Sequence, residues 1–184
     1  MKAIEILINE HRLILKFLDL LDTVRDGLIR GEVPPKEFFE RSVNFAREFA
    51  DKFHHFKEEY IMFSLLAKKR NGLFKNEVNR LRNQHESSRA YIDNVFNSFN
   101  RSDKISNKRI KSIDKNLWNY IIDLRDHIDY EDNIFFPLVE RELSDEDLDL
   151  IHAEFIKING SNGGRAFEKG REHLKILASL LKGN

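Results

Sequence analysis

The sequence predicts an all-α protein: an antiparallel up-down-up-down four-helix bundle with additional C-terminal helices. Three observations lead to this prediction. Four long segments repeat apolar residues at the three- and four-residue spacing of a helix with one buried face. Three prolines and eight glycines in 184 residues leave long stretches that can be helical. No segment sustains the alternation of apolar and polar residues that indicates a half-buried strand.

Helix-breaking and polar residues divide the chain into these segments. The breaks are Gly31 with Pro34-Pro35, Asn71-Gly72, and the polar run from Asn100 to Asn107. The bundle segments then cover about 3–30, 35–70, 73–99 and 108–141. Within the last of these, Pro137 is expected to kink or end the helix after residue 136.

The remaining residues form a helical extension. We assign residues 1–143 to the bundle and residues 144–184 to an extension that packs on it. Ser144 and Asp147 mark the start of a helix at 145–158. A glycine- and asparagine-rich loop at 159–164 separates it from a last helix at about 165–181.

Each bundle segment has a histidine in its apolar stripe, where an aliphatic residue is expected. In two segments a glutamate follows four residues later, on the same helical face. These inward-facing residues are His11, His54 with Glu58, His85, and His127 with Glu131. Burying such groups is costly unless a partner satisfies them, and a bound metal ion is the simplest partner.

Two neighbouring residues leave the choice of ligands open. His55 and Glu59 each stand one position further along the second segment, on a face that continues into polar residues upstream. We therefore expect both to face outwards or to support the ligands, although a drift in helical phase would exchange the two faces. Asp132 lies one position beside Glu131 and is the alternative carboxylate there.

The four histidines lie at similar distances from the turns between the segments, so an antiparallel bundle brings them to one level. A lone histidine in an apolar stripe is more often a core residue than a ligand. Four at matched depth, two of them with a glutamate one turn on, instead favour a metal site. Four imidazoles and two carboxylates exceed the needs of one tetrahedral zinc ion and suit two bridged ions. These donors are compatible with iron, manganese or zinc.

Composition excludes several other classes. Lys+Arg and Asp+Glu number 31 each, so the chain lacks the basic excess of a nucleic-acid or anionic-membrane binder. The absence of cysteine excludes disulfides, thiolate metal sites and iron–sulfur clusters. No apolar run approaches the roughly 20 residues of a membrane span. The N-terminal residues become charged too early for a signal peptide, and we expect a cytoplasmic protein.

The order of these residues resembles the hemerythrin-like, or HHE cation-binding, domain family. FHHFKEEYIMF and HIDYEDNIFFP are similar to that family's HHxxEE and HxxxEDxxLFP segments, and NQHESSR is similar to its third-helix histidine motif. The resemblance covers residues 3–141. It implies an antiparallel four-helix bundle holding two iron ions, bridged by the two carboxylates and an oxo or hydroxo group. The ferritin-like alternative does not fit, because no histidine has a glutamate three residues before it.

Two departures from the oxygen-carrying hemerythrins bear on function. Those proteins have a second histidine four residues after the third-helix histidine, where this chain has Arg89. They also have an aspartate five residues after the last histidine. Asp132 stands there, but Glu131 fits the apolar stripe better. The lost histidine predicts an open coordination position, which favours sensing, handling of reactive species or metal-centre repair over oxygen transport.

We therefore expect a non-haem di-iron protein that binds O2, NO or peroxide for sensing, storage or detoxification, with zinc or manganese less expected than iron. The alternatives are an enzyme that turns over peroxide or NO, an iron donor for repair, and a helical interaction module with a structural metal. Tyr60 and Tyr130 could donate a hydrogen bond to a bound ligand, but packing is the expected role. His173 could cover the site, and we interpret His152 as structural.

Overall fold

The computed structural model of the chain describes residues 2–68, 72–100, 106–160 and 164–182. These residues are helical, without strands, and four long segments form the bundle that the sequence predicts. The first segment is α1 (Ala3–Ile29), and the second comprises α2 (Lys36–Phe45), π1 (Ala46–His55), π2 (Lys57–Met62) and α3 (Phe63–Lys68). The third is α4 (Lys75–Asn100), and the fourth comprises α5 (Asn107–Tyr130), π3 (Glu131–Phe135) and α6 (Phe136–Glu142). Two further helices, α7 (Asp145–Ile158) and α8 (Gly164–Lys182), follow.

The helix ends have the residues that such ends require. Gly31, just after α1, has a φ of 84°, a left-handed conformation that glycine adopts without steric cost. The Ser144 hydroxyl accepts a hydrogen bond of 3.2 Å from the backbone N–H of Asp147 and caps α7. The predicted breaks at Asn71, 101–105 and 161–163 lie outside the described residues.

Two clusters of buried apolar side chains fill the bundle, one on each side of a polar level. On the first three bundle segments, the histidine singled out above lies between the residues of the first cluster and those of the second. On the fourth, His127 lies next to Ile128, the last residue of the first cluster, and before Phe135 of the second. The α8 residues Leu174 and Leu177 belong to the first cluster, and the α7 residues Ile151 and Phe155 belong to the second. The C-terminal helices therefore bury their apolar residues against opposite ends of the bundle. None of the described helices has the length and apolar content needed to cross a membrane.

The buried stripe shifts by one residue in the two segments that have a histidine and a glutamate four apart. The sequence predicts that the stripe continues inward as Ile61, Leu65, Ile134 and Leu138. The structure instead buries the residue after each of them: Met62, Leu66, Phe135 and Val139. Ile134 is 55% exposed. This prediction is wrong because π1, π2 and π3 have wider turns than an α-helix, which add the equivalent of an extra residue to the helix.

Of the two outcomes expected at Pro137, a kink or the end of the helix, the structure excludes the second. α6 continues past it to Glu142. In an α-helix the proline ring clashes with the carbonyl four residues earlier and removes a hydrogen bond. Pro137 lies in the first turn of α6, directly after π3, whose hydrogen bonds depart from the α-helical pattern.

Candidate metal centre

Four buried histidines, one from each bundle segment, meet at the polar level. They are His11 on α1, His54 on π1, His85 on α4 and His127 on α5. All four are at positions that the sequence predicts to face inward. The histidine placement therefore follows from the helical stripes together with the up-down order of the segments.

Glu58 lies between histidines of three segments. Its Oε1 atom lies 3.4 Å from His54 Nε2 and 3.9 Å from His11 Nε2. Its Oε2 atom lies 3.4 Å from His85 Nε2. The two oxygens of one fully buried carboxylate thus point to different histidines, as a bridging carboxylate does.

Glu131 lies between His11 and His127. Its Oε2 atom lies 3.3 Å from His11 Nε2 and 3.2 Å from His127 Nε2. The side chains that offer ligand atoms fall into two groups, and within each group these atoms lie within 4.8 Å of one another. The groups are His11, His54, Glu58 and Glu131, and His55, Glu58, His85 and His127. They share Glu58, and Glu131 spans them, so the arrangement can hold two neighbouring cations.

Each of the four predicted histidines has its other ring nitrogen, Nδ1, fixed by an acceptor from elsewhere in the bundle. The acceptors are Asp132 for His11 (2.7 Å), Glu10 for His54 (3.0 Å), Glu59 for His85 (2.7 Å) and Gln84 for His127 (3.1 Å). Because these oxygens accept, Nδ1 donates in each pair. In the neutral form of each ring, Nε2 then has the lone pair, which points at the centre. Outer acceptors of this kind orient metal-bound imidazoles.

His55 also faces the centre, which corrects the sequence-based expectation that it faces outwards or has a supporting role. It is 3% exposed, and its ring stacks on His85 with a centroid distance of 3.7 Å. The π1 turn explains this position, because adjacent residues of a π-helix are separated by a smaller angle than in an α-helix. His54 and His55 can therefore both point inward. The centre contains five imidazoles rather than four. The chain has Arg89 where oxygen-carrying hemerythrins have a second histidine on the third helix, and His55 on π1 provides an imidazole in its place.

Polar atoms without partners concentrate at this centre. Nine buried side-chain nitrogen and oxygen atoms of the described residues lack a hydrogen-bond partner. Seven of these belong to His11, His55, Glu58 and Glu131. Buried polar atoms are normally paired, since leaving them unpaired is costly. Lone pairs that converge without donors are what bound cations would satisfy, so these residues fit a metal centre.

The pKa values of the two central glutamates are shifted in opposite directions in the metal-free centre. Burial and the neighbouring Glu131 carboxylate raise the pKa of Glu58 well above its usual value. Burial acts in the same direction on Glu131, but His127 and His11 outweigh it and hold the Glu131 pKa well below its usual value. Although burial disfavours a charged His11, the carboxylates of Asp132 and Glu131 beside its ring raise its pKa to about 9. In the metal-free protein, bound protons thus supply part of the positive charge that would otherwise come from metal ions between the buried carboxylates.

A buried ion pair lies behind His54. Lys57, which is fully buried, donates a hydrogen bond of 2.7 Å to Glu10 Oε1, while the other oxygen of Glu10 faces His54 Nδ1. The Lys57 ammonium also lies 3.1 Å from the centroid of the Phe53 ring. Burial raises the pKa of Glu10 to about 7, against the opposing effect of Lys57, and burial lowers the pKa of Lys57.

Arg89 does not point at the centre but binds the carboxylates around it. Its Nη2 atom donates to Glu59 Oε1 at 2.7 Å, and its Nε atom donates to Asp51 Oδ1 at 2.8 Å. Glu59 accepts from His85, and Asp51 Oδ1 lies 3.5 Å from His55 Nδ1. One guanidinium therefore holds the carboxylates beside two stacked imidazoles.

Residues 2–139 match the family model of the hemerythrin HHE cation binding domain. The chain belongs to this family. The match runs from α1 into α6 and so contains all the residues of the centre. Neither the curated proteins nor the solved structures contain a match to this chain. As a member of the HHE family, the protein is a cation-binding helical bundle.

Other polar residues considered from the sequence lie away from the centre of this HHE domain. Tyr60 is 66% exposed and stacks on Phe56, so it does not face a bound ligand. Tyr130 packs under the guanidinium of Arg80, 3.4 Å from the ring centroid. His152 and His173 belong to neither of the two groups of ligand atoms.

The sequence reasoning missed Glu10 and Lys57. A signal for both was present. Glu10 stands three residues after Leu7 and four before Ile14, and Lys57 stands four residues after the buried Phe53. Both positions have the spacing of buried stripes, so charged residues there are candidates for a buried pair.

Proposed function

We propose that this chain is a non-haem di-iron protein that binds dioxygen or a related small molecule, such as nitric oxide or peroxide. Sensing, storage or detoxification would use the same centre. The observation that carries the proposal is that two groups of imidazoles share Glu58 and are spanned by Glu131. A carboxylate with one oxygen towards each group is the natural bridge between two cations.

The donor set supports iron over a single tetrahedral zinc ion. His11 and His54 would hold one ion, and His55, His85 and His127 the other, with Glu58 and Glu131 between them. Five imidazoles and two carboxylates provide more donors than the four of a closed zinc site. Bound iron would supply the affinity for small diatomic molecules and the redox chemistry that these side chains lack.

The surrounding side chains orient and shield the centre. Phe136 stacks on His11 and Phe63 stacks on His85, with centroid distances of 5.6 and 6.1 Å. Such rings exclude water from the imidazoles. On His11, His54, His85 and His127, the outer acceptors on Nδ1 direct Nε2 towards a cation.

The proposal is tested by anaerobic titration with iron(II), metal analysis, and absorption spectra before and after exposure to air. We expect about two iron ions per chain and new near-ultraviolet and visible bands in air. His127→Ala should lower the iron content, whereas His152→Ala, which changes a histidine outside the centre, should not.

The same samples separate the alternative functions. Steady-state consumption of peroxide or NO would indicate an enzyme, whereas stoichiometric binding without turnover supports a binding protein. A single metal ion without a change of spectrum on exposure to air, together with loss of helicity on chelation, would contradict the proposal and favour a structural metal.

A further inference from the structure

A cavity of about 230 Å³ lies beside the centre, between π1, α4 and α5. Small side chains leave this space: Ala46 and Ala50 on π1, and Ser88 on α4. Ile92 and the buried Tyr120 form further parts of its wall. Apolar cavities of roughly 150 Å³ are large enough to hold xenon or benzene. The cavity therefore has room for a small molecule.

His55 forms the wall of the cavity that faces the centre. Its Nε2 atom lacks a hydrogen-bond partner, and its Nδ1 atom lies 3.5 Å from Asp51 Oδ1. Its ring stacks on His85 and lies 6.1 Å from His127, measured between ring centroids. A molecule in the cavity is thus one imidazole ring away from His85.

The charged residues at the rim of the cavity are paired with one another or with neighbours. The pairs are Arg47 with Asp93 at 2.7 Å, Arg89 with Asp51 at 2.8 Å, and Lys52 with Glu48 at 2.6 Å. Paired charges offer little net attraction to an anion or a cation. Behind the rim, alanine and isoleucine side chains form much of the wall. This surface favours a small neutral molecule over an ion.

Three further openings in the described part of the chain have no residue of the two ligand groups in their walls. They are a groove of about 670 Å³ beside α8, a pocket of about 520 Å³ beside α7 and a pocket of about 330 Å³ beside Glu59. Stacked phenylalanines cover His11 and the open face of His85. Among these four openings, the cavity beside His55 alone has a residue of the ligand groups in its wall.

We propose that this cavity is the access passage and holding site through which a neutral diatomic molecule reaches the centre, with the ring of His55 as its inner wall. The proposal rests on the proposed function for the identity of the ligand. The passage itself does not depend on iron, so it is testable on metal-free or zinc-loaded protein.

Dissolved oxygen under pressure is the first probe, because it is paramagnetic and neutral. In the full-length chain, metal-free or loaded with zinc, oxygen should enhance the proton relaxation of the Ala46 and Ala50 methyl groups more than that of the core residue Leu18. A bulky gadolinium chelate in the solvent should not enhance the proton relaxation of the Ala46 and Ala50 methyl groups in this selective way. Equal oxygen effects on cavity and core methyl groups would overturn the proposal whether or not the protein binds iron.

Filling the cavity is the second test. Ala50→Leu, and Ser88→Val from the opposite wall, should abolish the selective oxygen effect. With iron-loaded protein, both should slow association and dissociation of NO by about tenfold, while metal content and equilibrium affinity stay unchanged. Ala90→Leu adds comparable volume at an exposed position of α4 and is the control.

The kinetic outcomes also separate the two proposals. Unchanged NO rates in both filled variants would contradict the passage even if iron binding and the spectra support the proposed function. A wild-type protein that takes up no iron would refute the proposed function, and the oxygen relaxation data would then decide the passage alone.

Discussion

The Nε2 atoms of His85 and His127 lie 3.1 Å apart. Each ring donates its Nδ1 hydrogen elsewhere, to Glu59 and to the amide oxygen of Gln84, so both Nε2 atoms have a lone pair. Two facing acceptors repel each other unless a proton or a cation lies between them. Imidazole nitrogens about 2.0–2.1 Å from one ion and roughly at right angles to each other would be about 3 Å apart. The pair therefore has the spacing of two neighbouring ligands of one ion.

His55→Phe tests whether His55 is the third donor of that ion. The phenyl ring keeps the stack on His85 but removes both nitrogens. We expect one ion per chain to bind as in the wild type and the affinity for the second to fall by at least about tenfold. Competition with a chromophoric chelator, together with metal analysis, measures both sites. Two ions bound with unchanged affinity would show that His55 serves packing alone.

Arg89→Met should weaken metal binding although Arg89 does not face the centre. The change frees Glu59 and Asp51, which then hold His85 and His55 less firmly. Loss of such an outer partner typically lowers metal affinity by about 10–100-fold. Arg41→Met, which removes a partly buried arginine that pairs with Glu37 on the same helix and contacts no residue of the centre, is the control and should leave the affinity unchanged. Equal affinities in the two variants would refute the orienting role.

The sequence is sufficient to predict the bundle and the level of the centre, because both depend on α-helical spacing and antiparallel connection. It is not sufficient to predict which helical face is buried after the histidines of the second and fourth segments. π-turns are rare departures from α-helical spacing that occur frequently at functional sites, and α-helical spacing alone does not predict them. For that reason the orientation of His55 and the burial of Phe135 in place of Ile134 emerge from the structure. The Glu10–Lys57 pair could not be predicted for another reason. A charged residue in an apolar stripe is expected to be buried, but the spacing does not show which residue of opposite charge pairs with it.

Metal binding should release protons at pH 7. In the metal-free protein His11 has a pKa raised to about 9 and is protonated at that pH, and Glu58 has a pKa raised well above its usual value. A cation displaces the His11 proton, so uptake is more favourable as the pH rises towards the pKa of His11. Calorimetric titration with zinc in buffers of different ionisation enthalpy measures the number released. Zinc binding accompanied by proton uptake, or by no exchange, would contradict these pKa shifts.

Lys57→Met should destabilise the protein more than Lys57→Met combined with Glu10→Gln. The single change leaves the Glu10 carboxylate buried at 2% exposure without its cation, and breaking a buried ion pair from one side costs about 3–5 kcal/mol. The double change removes both charges and keeps an amide oxygen that accepts from His54 Nδ1. Urea unfolding of the metal-free variants measures the free energy of unfolding. If the double variant is as unstable as the sum of the two single variants, Glu10 and Lys57 are not energetically coupled, and His54 is held by packing instead.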